Sequence, residues 1–164
     1  VPLQTDGVVL DVVATDPASP VEGQLWYNSA ENLLKLKSSS GNVISSLSYQ
    51  SANAAGDTTT GSTTDVVVGS MTLTLGAGTY LVFFTSDWSN STSNGSQWLS
   101  CFANGVQVPG SERRYSRSTT SKRDGVALNC VATVAAGQAI DIRWRVSGGT
   151  GTLGTRALSL IKVA

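Results

Sequence analysis

Nucleophiles are plentiful in this sequence, and groups that would activate them are scarce. Forty-one of the 164 residues carry an aliphatic hydroxyl (23 Ser and 18 Thr), two are cysteines, eleven are acidic and none is a histidine. A serine or threonine hydroxyl is a weak nucleophile without an adjacent base. The lack of histidine removes the His-based triads, HExxH zinc sites and His-containing iron or copper centres that one chain can build. Two cysteines cannot complete a four-cysteine zinc or iron–sulfur site. Asp57, Asp65 and Asp87 are the acids to weigh for calcium, but none sits in a D-x-[DN]-x-[DN]-G loop. The other carboxylates are too scattered to nominate a general acid/base pair. The expectation is a protein with no catalytic residue, no metal and no cofactor.

Three groups of side chains remain. Cys101 and Cys130 stand 29 positions apart, without a CxxC motif, in apolar alternating segments. They read either as two buried free thiols or, if their strands are neighbours, as one intrachain disulfide. Arg113, Arg114, Arg117, Lys122 and Arg123 form the one local basic cluster, tempered by Glu112 and Asp124. Such a run serves as a solvated loop or edge strand, as a contact for acidic protein surface, or as a site for an anionic glycan. Trp88, Trp98 and Tyr115 are the aromatics nearest to it, and Trp88 sits in Asp87-Trp88-Ser89-Asn90, where a strand enters a polar loop. Trp88, Arg113, Arg114 and Arg117 are therefore the candidate ligand contacts, with a host-surface glycan or receptor as the ligand class.

Net charge is zero but unevenly spread: residues 1–75 sum to −5 and residues 76–164 to +5. That asymmetry suits docking between parts or neighbouring chains. It is too weak for a nucleic-acid partner, which calls for a strongly basic domain or face.

These side chains must be positioned by strands. Charged residues make up 13% of the chain, against about 25% in ordinary soluble domains, and Val, Ser, Thr and Gly favour strands and turns over long helices. Residues 8–13 are β-prone. Asp16-Pro17-Ala18-Ser19-Pro20 is a loop. Leu25-Trp26-Tyr27-Asn28 and Leu33-Leu34-Lys35-Leu36-Lys37 flank a four-residue turn and predict a hairpin, with Leu34 and Leu36 on one face and Lys35 and Lys37 on the other. A lone hairpin is marginal in water, so Leu25, Trp26 and Tyr27 are candidate docking residues. Residues 38–42 read as a linker.

From residue 43 the text is all-β, beginning with a strand over 43–50. Tyr80-Leu81-Val82-Phe83-Phe84 predicts a central strand, Asn104-Gly105 a tight hairpin turn, and 126–134 and 139–146 alternating strands. The uncharged stretch 66–86 has a two-residue rhythm and a Gly76-Ala77-Gly78 break, so it predicts strands and a turn; no membrane insertion is expected. The chain opens Val-Pro-Leu-Gln without a basic stretch and apolar core, so no signal peptide is expected within it. About eight strands with regular turn signals predict a β-sandwich or jelly roll. The expected organisation is 1–37 extended segment and hairpin, 38–42 linker and 43–164 jelly roll.

Three stretches resemble the C1q/TNF-like jelly-roll family in text, order and spacing: Leu75-Gly76-Ala77-Gly78-Thr79-Tyr80-Leu81-Val82-Phe83, Phe102-Ala103-Asn104-Gly105-Val106-Gln107-Val108-Pro109-Gly110-Ser111, and Gly151-Thr152-Leu153-Gly154-Thr155-Arg156-Ala157-Leu158-Ser159-Leu160-Ile161-Lys162-Val163. The resemblance implies a non-enzymatic domain that assembles as a homotrimer. It makes Tyr80, Phe102 and Leu160 candidate trimer or core anchors. No collagen-like Gly-X-Y repeat accompanies it. The segment Ala14-Thr15-Asp16-Pro17-Ala18-Ser19-Pro20-Val21-Glu22-Gly23-Gln24-Leu25-Trp26-Tyr27-Asn28 resembles an element of phage tail-fibre and virion structural proteins. Together these resemblances imply a bacteriophage virion component (capsid decoration, tail, fibre or neck) with other virion proteins as partners. The alternative they leave is a host-attachment module.

Overall fold

The computed structural model describes residues 11–30, 33–38, 48–116 and 122–163 in full and the backbone of 43–45. The chain divides into two compact units between Leu47 and Ser48.

In the first unit, strand β1 (Asp11–Val13) lies parallel to β2 (Leu25–Asn28); β2 pairs antiparallel with β3 (Leu33–Lys37), and β3 with β4 (Val43–Ser45). The expected hairpin is thus the middle of a four-stranded sheet. Val43–Ser45 belongs to that sheet and not to the jelly roll, so the expected strand over 43–50 is two strands. A short connection after β3 favours this local antiparallel pairing over a distant partner.

The hairpin is also turned over relative to the expected burial of its leucines. Lys35 is buried and Leu34 is exposed. Lys35 stands opposite Trp26 in the β2–β3 register, and the covered face is organised around one carboxylate. Asp16 accepts from the Trp26 indole Nε1 (3.1 Å), from Asn28 Nδ2 (2.8 Å) and from Lys35 Nζ (2.6 Å). A lysine goes inside when an acceptor waits there. Trp26 is fully buried, which removes it from the docking candidates and leaves Leu25, exposed, and Tyr27, half-buried.

The second unit is a sandwich of two antiparallel sheets. One orders β12 (Asp124–Val134), β8 (Gly78–Asn90), β14 (Gly151–Lys162) and β5 (Tyr49–Ala54), with β6 (Thr58–Thr60) also on β14. The other orders β10 (Val106–Gln107), β9 (Ser96–Ala103), β13 (Ala139–Val146) and β7 (Val66–Thr74), with β11 (Arg113–Ser116) also on β9. Successive long strands cross from one sheet to the other, which is jelly-roll connectivity. The period-two alternation fills the space between sheets with Val82, Phe84 and Trp88 of β8, Leu128 of β12, Ile142 and Trp144 of β13, and Leu158 and Leu160 of β14. Asn104 and Gly105 both have positive φ (49° and 78°), as the tight turn between β9 and β10 requires.

Two irregularities redirect side chains. In β7 the register slips opposite Asp141 and Arg143, near Ser70 at φ 67°. In β14 it slips between Leu153 and Arg156, and Arg156 turns inward. Its Nε donates to Gly69 O (2.9 Å), and its Nη1 to Gly56 O (2.9 Å) and Gly154 O (3.1 Å). At the edge strand β12, side chains of β11 take the place of a further strand. The Tyr115 hydroxyl donates to Ala127 O and accepts from Ala127 N (3.1 Å), while Arg113 Nη2 reaches Asn129 O at 3.5 Å. Covering an edge in this way blunts strand addition there.

Candidate assembly face

The β12-β8-β14-β5 sheet turns one set of side chains into the core and the other outward. The outward set follows from register. Tyr49 stands opposite Ile161, Ile161 opposite Leu81, and Leu81 opposite Val131. These four side chains form an apolar row across all four strands. The next row is Ser51, Ser159, Phe83 and Asn129, and the third is Asn53, Ala157, Thr85 and Ala127. None of the twelve is charged. Tyr49 is 62% exposed, Val131 54% and Phe83 41%. Shallow grooves of about 280 and 150 Å³ lie on either side of Phe83, the first lined by Leu81, Asn129 and Val131, the second by Thr85 and Ala127. Fully covering a phenylalanine or valine is worth about 1.5–3 kcal/mol, so this surface favours a partner over water.

The outer face of the opposite sheet has another character. Arg114, Trp98 and Arg145 are direct cross-strand neighbours on β11, β9 and β13. Both guanidiniums lie over the Trp98 ring, at 5.3 and 5.0 Å. Arg145 also bridges Asp65 (2.9 Å) and Glu112 (2.8 Å). Arg143 covers Phe102 at 4.3 Å and pairs with Asp141 at 2.7 Å. Elsewhere Arg123 spans Asp87 (3.1 Å) and Asp57 (2.5 Å), and its guanidinium lowers the Asp57 pKa chiefly through that hydrogen bond. The three aspartates weighed for calcium are thus engaged by arginines. The acidic and basic halves of the sequence meet inside one jelly roll.

The candidate ligand contacts do not assemble into a site. Trp88 is 1% exposed, in the core, with its ring 6.4 Å from that of Tyr115; the entry into a polar loop suggested exposure, but β8 continues through Asn90 and keeps Trp88 in the inward phase. Arg113 Nη1 donates to the carbonyls of Gly110 (2.8 Å) and Glu112 (2.9 Å). Arg114 is on Trp98 and on Ser96 Oγ. Arg117 lies outside the described residues. Of the candidate anchors, Tyr80 and Leu160 point into the core, the Tyr80 hydroxyl donating to Gly76 O at 3.0 Å. Phe102 is buried under Arg143 on the charged sheet. None of the three lies on the apolar face. The residues that do, Tyr49, Leu81, Phe83, Val131 and Ile161, share the phase opposite to the core residues of their strands.

No family model matches the chain, and no curated protein matches it. Among solved structures, the VP2 subviral particle of infectious bursal disease virus superposes with a TM-score of 0.51 at 11% identity, over 74% of this chain and 35% of that one. The chain therefore spans about a third of the length of that capsid protein. Murine APRIL matches at TM-score 0.44 and 17% identity, over 71% of this chain and all of that one. Eiger TNF from S. frugiperda matches at 0.43 and 14%, over 71% and 93%. The likeness is one of fold. The chain is a jelly roll preceded by a small β-sheet.

Proposed function

We propose that this chain is a non-enzymatic structural subunit of a bacteriophage virion, assembled as a homotrimer through the outer face of the β12-β8-β14-β5 sheet. The observation that carries the assembly is the uncharged patch formed by Tyr49, Ile161, Leu81 and Val131 with Phe83 beside them. Three copies around an axis close when such a patch on one protomer meets a different surface on the next. The three-fold number comes from the C1q/TNF-like resemblance. The virion setting comes from the resemblance of the segment around Asp16 and Trp26 to phage structural proteins; the VP2 likeness, to a subunit of a viral particle, agrees with it. In this reading residues 1–47 attach the trimer to its neighbours in the particle.

Light scattering on the purified chain is expected to give a mass near three times 17.0 kDa. Phe83→Glu places an unpaired charge in the patch and is expected to give 17.0 kDa protomers with unchanged far-UV circular dichroism. A wild-type monomer at all concentrations, or a trimer that tolerates Phe83→Glu, overturns the assignment. Deleting residues 1–47 is expected to leave a folded, trimeric jelly roll that no longer enters particles. Normal incorporation of the truncated chain rules out the attachment role.

A further inference from the structure

The two cysteines sit on opposite sheets. Cys101 lies on β9 opposite Ile142, and Cys130 on β12 opposite Val82. Their strands converge where β12 forms the edge of its sheet, with Cα atoms of β9 and β12 within 8 Å. The two thiols meet there in a hydrogen bond, Cys101 donating to the sulfur of Cys130. Cys101 is fully buried, while Cys130 is half-buried beneath the segment that Arg113 reaches. One thiol is thus open to a reagent and the other waits behind it.

We propose that Cys130 and Cys101 form a reactive dithiol that exchanges with small disulfides and closes into a disulfide joining the two sheets. The Cys130 thiolate attacks one sulfur of oxidised glutathione; a Cys130–glutathione mixed disulfide forms and one glutathione leaves as its thiolate. Cys101 then gives up its proton and attacks the Cys130 sulfur, expelling the second glutathione. The protein loses two S–H bonds and gains one S–S bond, and one molecule of the small disulfide is reduced to two thiols.

The electrostatics suit this order. The hydrogen bond from Cys101 and then the charge of Arg113 lower the Cys130 pKa, whereas that same bond, then burial, raises that of Cys101. An attacking thiol needs thiolate character and access, and a resolving thiol needs only proximity. The strand approach also matters, because a disulfide requires Cα atoms about 4.4–6.8 Å apart. Sheets at their usual separation of about 10 Å would not meet that need without converging.

The full native chain, incubated with oxidised glutathione and acid-quenched, is expected to lose two hydrogens in intact mass and to resist alkylation. Its thermal midpoint is expected to rise, and a thiol reductant is expected to reverse both changes. Cys101→Ser is expected to stop at the glutathione adduct on Cys130, and Cys130→Ser to leave Cys101 unmodified while the chain stays folded. Two results on the wild-type chain alone overturn the proposal, whether or not either variant folds. One is a glutathione adduct that persists without closing. The other is no reaction until denaturant is added.

Discussion

Arg156→Ala is expected to destabilise the jelly roll by about 3 kcal/mol or more, because hydrogen bonds to a charged group are worth about 1.5–3 kcal/mol each and buried acceptors left without partners add their own cost. Arg156 is 7% exposed, and its three bonds run to carbonyls of three segments: Gly69 in β7, Gly56 between β5 and β6, and Gly154 in β14 itself. The guanidinium therefore ties the two sheets to the turn at one end of the sandwich. All three acceptors are peptide oxygens, so the charge is solvated by dipoles as water would solvate it. A planar fork with five N–H groups reaches three separate carbonyls; a lysine ammonium is a point donor on a flexible stem. Arg156→Lys is accordingly expected to recover less than half of the loss. Arg156→Met separates charge from volume, since it fills the space and satisfies no carbonyl. Denaturant unfolding followed by tryptophan fluorescence measures each. A loss below about 0.5 kcal/mol for Arg156→Ala, the range of ordinary surface substitutions, would mean that water takes over the carbonyls and that Arg156 fastens nothing.

This arginine also shows where sequence reasoning stops. Strict alternation from Leu158 and Leu160 does place position 156 in the inward phase, but the local text Thr155-Arg156-Ala157 carries no sign that three carbonyls converge there. They come from positions 56, 69 and 154, and only the tertiary structure brings the first two to it. What alternation specifies was legible: β8, β12 and β13, the Asn104-Gly105 turn, and the jelly-roll class itself. What depends on a distant partner was not. Val43–Ser45 reads equally well as part of either unit until its pairing with β3 is known. Trp88 reads as a loop residue until β8 is seen to continue past it.

The assembly face lies between these cases. Each strand's outward phase could be written down from the sequence, and Val131 in particular stands in the non-core phase of 126–134. That Tyr49, Ile161, Leu81 and Val131 form one row requires three registers at once. Tyr80-Leu81-Val82-Phe83-Phe84 looks like a strand buried on both faces. In this protomer it is buried on one. The surplus of hydrophobicity on the other is what an assembling face would carry.

Asp16→Ala is expected to unfold the four-stranded sheet of the first unit and leave the jelly roll intact. Trp26 is the one fully buried apolar side chain among the described residues of that unit, and its indole, Asn28 and Lys35 all donate to the Asp16 carboxylate. The substitution strands the Lys35 ammonium, whose side chain is 7% exposed, and two further donors. Asp16 is itself 37% exposed, so water screens part of the loss, and about 2 kcal/mol is the expected cost. A unit of this size is held by only a few kcal/mol, at roughly 0.05–0.15 kcal/mol per residue. Acid should act in the same direction. The hydrogen bond from Lys35, followed by that from Asn28, holds the Asp16 pKa down to about 2. A carboxylate depressed in the folded state contributes its full stability above the ordinary aspartate range near 3.9, and the contribution disappears as pH falls through about 2. The Trp26 indole N–H resonance and amide exchange over residues 11–37 report on this sheet, separately from the tryptophans of the jelly roll. Wild-type exchange rates in Asp16→Ala would show that backbone pairing and Trp26 alone hold the unit. Lys35 would then be a lysine that burial has not penalised, in conflict with the desolvation cost on which its pairing with Asp16 rests.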